Sequence, residues 1–600
     1  MIQNVARYGL LCLLVLFTTV AQAQYFGRNK PAYKKFKFMV MESPNFKLYH
    51  YFDNQQDALR VIQDSERWYT LHQSVLKDTI ATPNPIIIYK NHADFQQTTT
   101  IGGAIGVGTG GVTEGLKNRV VMPVTLSNKQ TDHVLGHELV HAFQYNMMRT
   151  GDSLSLNSMR NLPLWMVEGL AEYMSIGHYD PNTAMWMRDA VLHNDIPSLK
   201  DLTRKPKYFP YRWGQAFWSF VAGTWGDQVI EPLFRSTARY GYETAIKKIL
   251  NVDAETLGNM WKTKLQDYYR PYIAGADTLA IGNKLLHKEN AGRLNISPVL
   301  SPNGKFVAYM SDQNVLGLDL YLADATSGKV VKQLASLTRN EHLDNFSFME
   351  SAGTFSPYGD RFAFVVFEQG INKLAIVDVA RGKIIETLRL PGVDAFAYPS
   401  WSPDGQSIVV SGMTEVQSDL YLYNFRSKKV TQLTNDTYSD LMPSWSADGI
   451  KLVFATDRPA ANQQNNRHNY NLAELTLGTG HIKVANVFAG ADNLNPVYEP
   501  GGSILFLSDR DGYRNMYKYK PSAGTVEQLT NYVTGISGIT AFSPALSVAR
   551  DAAIVAYSHY NKGDYSIYSA PLAQFEGKAL ETNKLDAQAG TLPPLQRNKP

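Results

Sequence analysis

SPNGKFVAYMSD, at residues 301–312, is the first copy of a short pattern that fills the second half of the chain. Each copy begins with a tight turn, which contains both proline and glycine in four of the six copies, and continues with an apolar strand, a polar turn and a second strand. Proline fixes φ near the value that the turn needs, and glycine adopts a positive φ without a Cβ clash. The later copies lie at residues 356–367, 402–412, 446–457, 499–509 and, in degenerate form, 543–558.

The spacing of these copies predicts the architecture of the second half. Neighbouring turns are 44 to 55 residues apart, and no helical periodicity lies between them. A repeat of about 40–50 residues that contains only short strands is typical of propeller blades. The six turns therefore predict an all-β, six-bladed propeller over residues 290–574.

The second half also resembles the TolB-like propeller family, in which an SPDG turn, an SDR turn and a strand with an IY-type pair recur. The tripeptide Ser508-Asp509-Arg510, followed by Met516-Tyr517, carries the resemblance most clearly, and residues 419–422 repeat the second strand. The resemblance covers almost half of the chain.

The first half mixes a few strands with long helices, which predicts an α+β domain over residues 37–272. Alternating or continuous apolar runs predict strands, and apolar residues at helical spacing predict helices. The predicted strands are 46–52, 85–90 and 119–124, and the predicted helices are 55–76, 131–148 and 164–174, with further helices between 213 and 269. The whole is a multidomain chain, with residues 273–289 as a linker to the propeller.

The helix predicted over residues 131–148 carries the motif His137-Glu138-Leu139-Val140-His141. Histidines four residues apart lie one above the other on a helix face, where they can bind one Zn²⁺. Glu138 projects beside them, so it can take a proton from a water at the metal and pass it to the leaving amine. The alternative, an amphipathic helix with two surface histidines, is disfavoured by a pair of glutamates on the next predicted helix.

A third ligand is available in LPLWMVEGLAEYMS, residues 162–175. Glu168 and Glu172 are four residues apart on one helix face, so one can bind the metal while the other orients a ligand histidine. The apolar neighbours of this pair indicate that it is buried beside a partner charge, and not solvated.

Together these residues resemble the gluzincin metallopeptidases, in which HExxH is followed on a later helix by a glutamate ligand. The match is close over residues 165–173, and the resemblance spans about 37–272 with a zincin-like fold. It implies one zinc ion bound by His137, His141 and Glu168, with Glu138 as the general base and Glu172 supporting a ligand. The gap between His141 and Glu168 is longer than in the best-known members, which leaves the connecting loop open.

Catalysis also needs a donor for the oxyanion. Residues 205–226 resemble the region where related enzymes carry a tyrosine for this role, which makes Tyr211 the first candidate and Tyr208 the second; His178 is a weaker one. An aromatic packing role for Tyr211 is the alternative. The glycine-rich segment 101–115 precedes an expected edge strand at 119–124 and is interpreted as a loop that lines the cleft.

The first residues of the chain and its composition predict the cellular compartment of the protein. Residues 1–23 have a basic residue, an apolar run and the small-residue ending Ala21-Gln22-Ala23, which predicts a signal peptide, followed by an extension over 24–36. The only cysteine, Cys12, lies in this leader, and no later run is long enough to span a membrane. We therefore expect an exported protein, periplasmic or extracellular. The tail 575–600 is polar and is expected to be disordered.

These features predict a secreted zinc metallopeptidase that acts on a peptide or protein substrate, either as an endopeptidase or as an aminopeptidase. The propeller would gate the substrate or bind a protein partner. The net charge of +4 is small for 600 residues, so nucleic acid is not expected as a partner. The alternative is a non-catalytic envelope or extracellular binding protein that recognises its partner through the propeller.

Overall fold

The computed structural model describes residues 30–594, except for 151–154, 315–316, 338–339, 341–342, 348, 350–351, 462 and 464–467. The predicted signal peptide, residues 24–29 of the predicted extension and residues 595–600 of the predicted tail therefore lie outside the described residues. Within the described part of the chain, none of the helices has both the length and the apolar character that a membrane span requires.

A mixed sheet opens the first half. Its strands are β1 (Met39–Glu42), β2 (Phe46–His50), β3 (Asn84–Tyr89), β4 (Val112–Glu114) and β5 (Arg119–Pro123). In the described residues the sheet has the order β1-β2-β3-β5-β4. The central strands β2, β3 and β5 are parallel, whereas β1 and β4 are antiparallel to their neighbours. The expected edge strand β5 is thus an inner strand, because the three-residue β4 pairs with it on the outside.

Helices make up most of the remainder of this half. They are α1 (Gln55–Leu76), α2 (His92–Phe95), α3 (Asn128–Thr150), α4 (Leu164–Ile176), α5 (Pro181–Leu192), α6 (Leu199–Arg204), α7 (Pro210–Trp225), α8 (Ile230–Tyr240), α9 (Tyr242–Leu250) and α10 (Ala254–Ala274). A 3₁₀ turn, Leu156–Asn161, lies between α3 and α4. The helix predicted over 55–76 is present with those bounds, and the two predicted site helices are present with slightly longer ones.

Helices α4 and α7 are in close contact at two glycines. A Cβ atom on Gly169 would overlap the backbone of Gly214, so any larger residue at either position would push the helices apart. The indole nitrogen of Trp218 on α7 donates to the carbonyl of Met166 on α4 at 3.0 Å. This contact fixes the beginning of α7 next to the face of α4 that carries the two glutamates.

The second half is a six-bladed β-propeller in the described residues, as the turn pattern predicts. The first blade contains β7 (Asn295–Leu300), β8 (Phe306–Ser311), β9 (Asp319–Asp324) and β10 (Val330–Ala335), and the second contains β11 (Asn345–Phe346), β12 (Thr354–Phe355), β13 (Arg361–Glu368), β14 (Ile371–Asp378) and β15 (Lys383–Leu388). The third blade contains β16 (Ala395–Trp401), β17 (Ser407–Met413), β18 (Ser418–Asn424) and β19 (Val430–Gln432), and the fourth contains β20 (Asp440–Trp445), β21 (Lys451–Thr456), β22 (Asn471–Thr476) and β23 (His481–Val484). The fifth blade contains β24 (Asn493–Tyr498), β25 (Ile504–Ser508), β26 (Asn515–Lys520) and β27 (Thr525–Gln528), and the sixth contains β28 (Leu546–Ala549), β29 (Ile554–Asn561) and β30 (Asp564–Pro571).

Two short strands outside the predicted propeller complete its blades. Residues 283–286 of the predicted linker form a strand, β6 (Asn283–Leu286), that pairs with β30 as the outer strand of the sixth blade. Because this strand precedes the first blade in the chain, its pairing closes the ring. Residues 578–580 of the predicted tail form a further strand, β31 (Lys578–Leu580), that pairs with β27.

The segment after residue 575 also differs from the prediction of disorder, because its described part, up to residue 594, runs between the propeller and the helices. The backbone N–H of Leu592 donates to the carbonyl of His178 at 2.7 Å, and Tyr269 donates to the carbonyl of Thr591 at 2.7 Å. Leu592 itself is fully buried. Most of these hydrogen bonds are made by backbone groups, so they could not be predicted from the polar side chains of the segment.

One face of the propeller packs against the helices. The backbone N–H of Asn128, at the start of α3, donates to the Ser439 hydroxyl at 2.9 Å, and the Lys129 ammonium lies 2.6 Å from the Asp492 carboxylate. Buried propeller residues such as Tyr398 and Phe542 belong to the same hydrophobic core as the helices. The two halves therefore share a core at this face.

Candidate metal centre

His137, His141 and Glu168 converge on one point between α3 and α4. The two Nε2 atoms of the histidines are 3.1 Å apart, and each lies 3.3 Å from Oε2 of Glu168. Tetrahedral zinc with ligands at about 2.0–2.1 Å requires ligand atoms about 3.3 Å apart. The donor set and its spacing thus fit zinc, and the helical periodicity of both segments explains why the three side chains meet.

The outer nitrogen of each imidazole faces an acceptor. Nδ1 of His137 lies 3.0 Å from Oε1 of Glu172, and Nδ1 of His141 lies 2.8 Å from Oε1 of Gln144. In this arrangement each ring can donate its Nδ1–H outward and present Nε2 to a metal. His133, one turn before His137, places its Nε2 3.5 Å from the Glu172 carboxylate. Sequence reasoning placed Glu172 beside a ligand but missed Gln144 and His133, although both stand at helical spacing from the motif.

Glu138 faces the glycine-rich segment. The Thr113 hydroxyl, on β4, lies 2.7 Å from Oε2 of Glu138 and 2.9 Å from its backbone oxygen. A Cβ atom on Gly111 would lie 2.9 Å from Oε1 of the same carboxylate, so glycine is needed for this close approach. The glycine-rich segment therefore passes beside α3, and Thr113 holds the orientation of the Glu138 side chain.

Of the three candidate oxyanion donors, the structure brings Tyr211 to the site. Its ring is stacked on His137 with centroids 5.9 Å apart and an interplanar angle of 12°. Burial, together with the charge and hydrogen bond of Glu168, raises the pKa of Tyr211, so its hydroxyl keeps its proton at neutral pH. Tyr208 instead donates to Asp195 at 2.8 Å, and His178 is exposed beside the C-terminal segment.

The charges of the centre balance one another. Burial alone would lower the pKa of His137, but hydrogen bonds with Glu168 and Glu172 raise it to about 10, and Glu168 raises the pKa of His141 in the same way. Burial opposes ionisation of Glu172, yet His133 and His137 hold the pKa of its carboxyl at about 2. The carboxylates are therefore ionised, and a dication would replace protons on the two imidazoles.

Comparisons with known proteins concern the propeller. A family model described as the TolB beta propeller domain matches residues 351–472. The Tol-Pal system protein TolB of Francisella tularensis is 27% identical over 184 residues, which are 30% of this chain and 38% of that protein. The chain thus matches well under half the length of this curated relative.

Two solved structures are similar to about half of the chain. The putative TolB from Agrobacterium tumefaciens has 17% identity and a TM-score of 0.34, over 46% of this chain and 90% of that chain. The beta-propeller domain of the trilobed protease from Pyrococcus furiosus has 14% identity and a TM-score of 0.32, over 48% and 82%. The family match lies within the six-bladed propeller, at residues 351–472, and leaves residues 37–272 outside it.

Proposed function

We propose that this chain is an exported zinc-dependent metallopeptidase of the gluzincin type, whose first half is a zincin-like catalytic domain. The observation that carries the proposal is the triangle formed by His137, His141 and Glu168, whose edges of 3.1, 3.3 and 3.3 Å suit tetrahedral zinc. Structural zinc is normally held by four protein ligands, whereas catalytic zinc keeps one position open. Three ligands with a further carboxylate beside them, that of Glu138, favour catalysis.

When bound, zinc would supply the Lewis acidity that lowers the pKa of water and polarises a peptide carbonyl. Glu138, held by Thr113, accepts the proton of the attacking water and later delivers it to the leaving amine. Tyr211 keeps its proton and donates a hydrogen bond to the developing oxyanion. Glu172 and Gln144 keep the imidazoles of His137 and His141 in their orientation.

The propeller is proposed to bind a protein partner or to control access of the substrate. The family match to the TolB beta propeller domain supports a role in protein binding, and the contact with α3 supports an influence on the site. This match also supports the second candidate function, a periplasmic or extracellular binding protein with a catalytically idle metal.

Metal analysis combined with peptide digestion separates the two functions. We expect stoichiometric zinc in the wild-type protein, little zinc in His137→Ala, and zinc without hydrolysis in Glu138→Gln. Glu255→Gln, an exposed residue in the first turn of α10, serves as the matched control and keeps both properties. Full hydrolysis by Glu138→Gln would exclude the mechanism, and stoichiometric zinc without any cleavage by the wild-type protein would favour the binding protein.

A further inference from the structure

A row of aromatic rings leads from the metal centre to the propeller. Beyond Tyr211, which is stacked on His137, the ring of Phe209 is stacked on Tyr211 with centroids 5.0 Å apart. Trp186 on α5 follows at 6.1 Å from Phe209, and Tyr560 on β29 is stacked on Trp186 at 5.3 Å. The spacings all lie in the range of favourable aromatic contacts.

Phe209 is the exposed member of this row. Its side chain is 44% exposed, although it lies only one ring beyond Tyr211. Phe209 occupies the N-cap position of α7, where a polar side chain would satisfy a backbone N–H and phenylalanine cannot. The apolar contact that often fixes the start of a helix is made instead by its neighbour Tyr208, whose ring packs on Trp213 at 5.7 Å. Neither capping nor this contact explains an exposed phenylalanine here.

The end of the row next to the propeller, at Trp186 and Tyr560, is packed against neighbouring residues. Tyr560 is buried, and the guanidinium of Arg212 lies 5.6 Å from the Trp186 ring centre. Arg212 in turn donates to Thr183 and to the carbonyl of Ile539 on the propeller, both at 3.3 Å. Arg212 also lies 3.9 Å from the Asp180 carboxylate, which offsets its charge. The surface that Phe209 and Trp186 present is therefore apolar, and it suits an uncharged aromatic group better than a lysine or arginine side chain.

We propose that Phe209 forms a substrate subsite that receives an aromatic side chain next to the scissile bond, with Trp186 extending the surface and Tyr560 supporting it from the propeller. The inference rests on the proposed peptidase function. It assigns the propeller a part in substrate recognition through Tyr560, and it names the substrate class as peptides with an aromatic residue on one side of the cleaved bond.

Two sets of peptides that differ only by phenylalanine or alanine beside the cleaved bond test this subsite. In zinc-loaded wild-type protein, kcat/KM should favour the phenylalanine peptide, and Phe209→Ala should reduce the ratio of the two kcat/KM values about three- to tenfold. Phe209→Leu, which keeps an apolar side chain of similar size, guards against misfolding and should lose a smaller part of the preference. Tyr358→Ala, an exposed aromatic residue in a propeller turn, is the matched control.

A binding measurement separates failure of the subsite from failure of the peptidase. The affinity of each peptide for zinc-loaded Glu138→Gln is compared by calorimetry with that for the double variant that also carries Phe209→Ala. A loss confined to the phenylalanine peptide supports the subsite even if the wild-type protein cleaves nothing. Equal affinities in the two variants, an unchanged preference in Phe209→Ala, or a preference for lysine over phenylalanine would overturn it.

Discussion

Replacing Glu172 by glutamine should weaken zinc binding without unfolding the protein. Its side chain is 15% exposed, and Oε1 lies 3.0 Å from Nδ1 of His137. A hydrogen bond to a charged group contributes about 1.5–3 kcal/mol and a neutral one about 0.5–1.5 kcal/mol, so the lost charge corresponds to about 1–2 kcal/mol. At about 1.4 kcal/mol per tenfold, the Kd for zinc should rise about 5- to 30-fold. Glu172→Ala also removes the acceptor, and the loss should approach 100-fold.

Competition with a chromophoric chelator at about pH 7.5 measures these affinities, with Glu255→Gln as the control for loss of one glutamate charge. Unfolding of the metal-free proteins by urea should show similar cooperativity for Glu172→Gln and the wild type, which confines the effect to the centre. The reasoning is refuted if both Glu172 variants bind zinc within twofold of the wild type. His137 would then hold its orientation without this contact.

Three further predictions address the rest of the molecule. Gln144→Leu should raise the Kd for zinc about 2- to 10-fold, because His141 loses a neutral hydrogen bond at 2.8 Å; chelator competition measures this, and an unchanged affinity contradicts it. Burial and the charge of Asp440 raise the pKa of Asp419 to about 7, above its unfolded value, so this group lowers stability as pH rises from about 4 to about 7. Asp419→Asn should therefore gain roughly 2–4 kcal/mol over the wild type between about pH 4 and pH 8 in urea unfolding, whereas a difference that is independent of pH contradicts the assignment. Deleting residues 577–600 removes the strand Lys578–Leu580 and the buried Leu592, so calorimetry should show a lower Tm and partly separated transitions, against a single unchanged transition if the segment is dispensable.

The convergence of the candidate metal ligands could be predicted because their geometry is local. His137 and His141 are one helical turn apart, Glu168 and Glu172 repeat that spacing, and the apolar pattern places both pairs on helices. The same local rule would have found Gln144, three residues after His141, had the outer nitrogen of each imidazole been considered. The six blades were predictable for a similar reason, since four of the six turns carry both a proline and a glycine, and the other two keep one of them.

Contacts between distant segments were not predictable in this way. Thr113 approaches Glu138 only because the strand Val112–Glu114 pairs with Arg119–Pro123, and three residues are too short to show a strand periodicity. Two short strands, Asn283–Leu286 and Lys578–Leu580, join blades through backbone hydrogen bonds. Side-chain composition carries little information about such bonds. The predicted linker and disordered tail were wrong at these strands for that reason.

The contacts of the propeller bear on how it could influence the metal centre. The helix Asn128–Thr150 begins in contact with Ser439 and Asp492, and His137 lies about two turns farther along it. Arg212, directly after Tyr211, donates to the carbonyl of Ile539. The propeller thus contacts the start of the helix that carries His137 and His141, and the start of the helix that carries Tyr211. A partner that shifts this face of the propeller would move α3 relative to Glu168, because the helix of Glu168 packs against α7 at Gly169 and Gly214 and would follow α7. A small displacement at the start of α3 would then change the spacing between the motif histidines and Glu168.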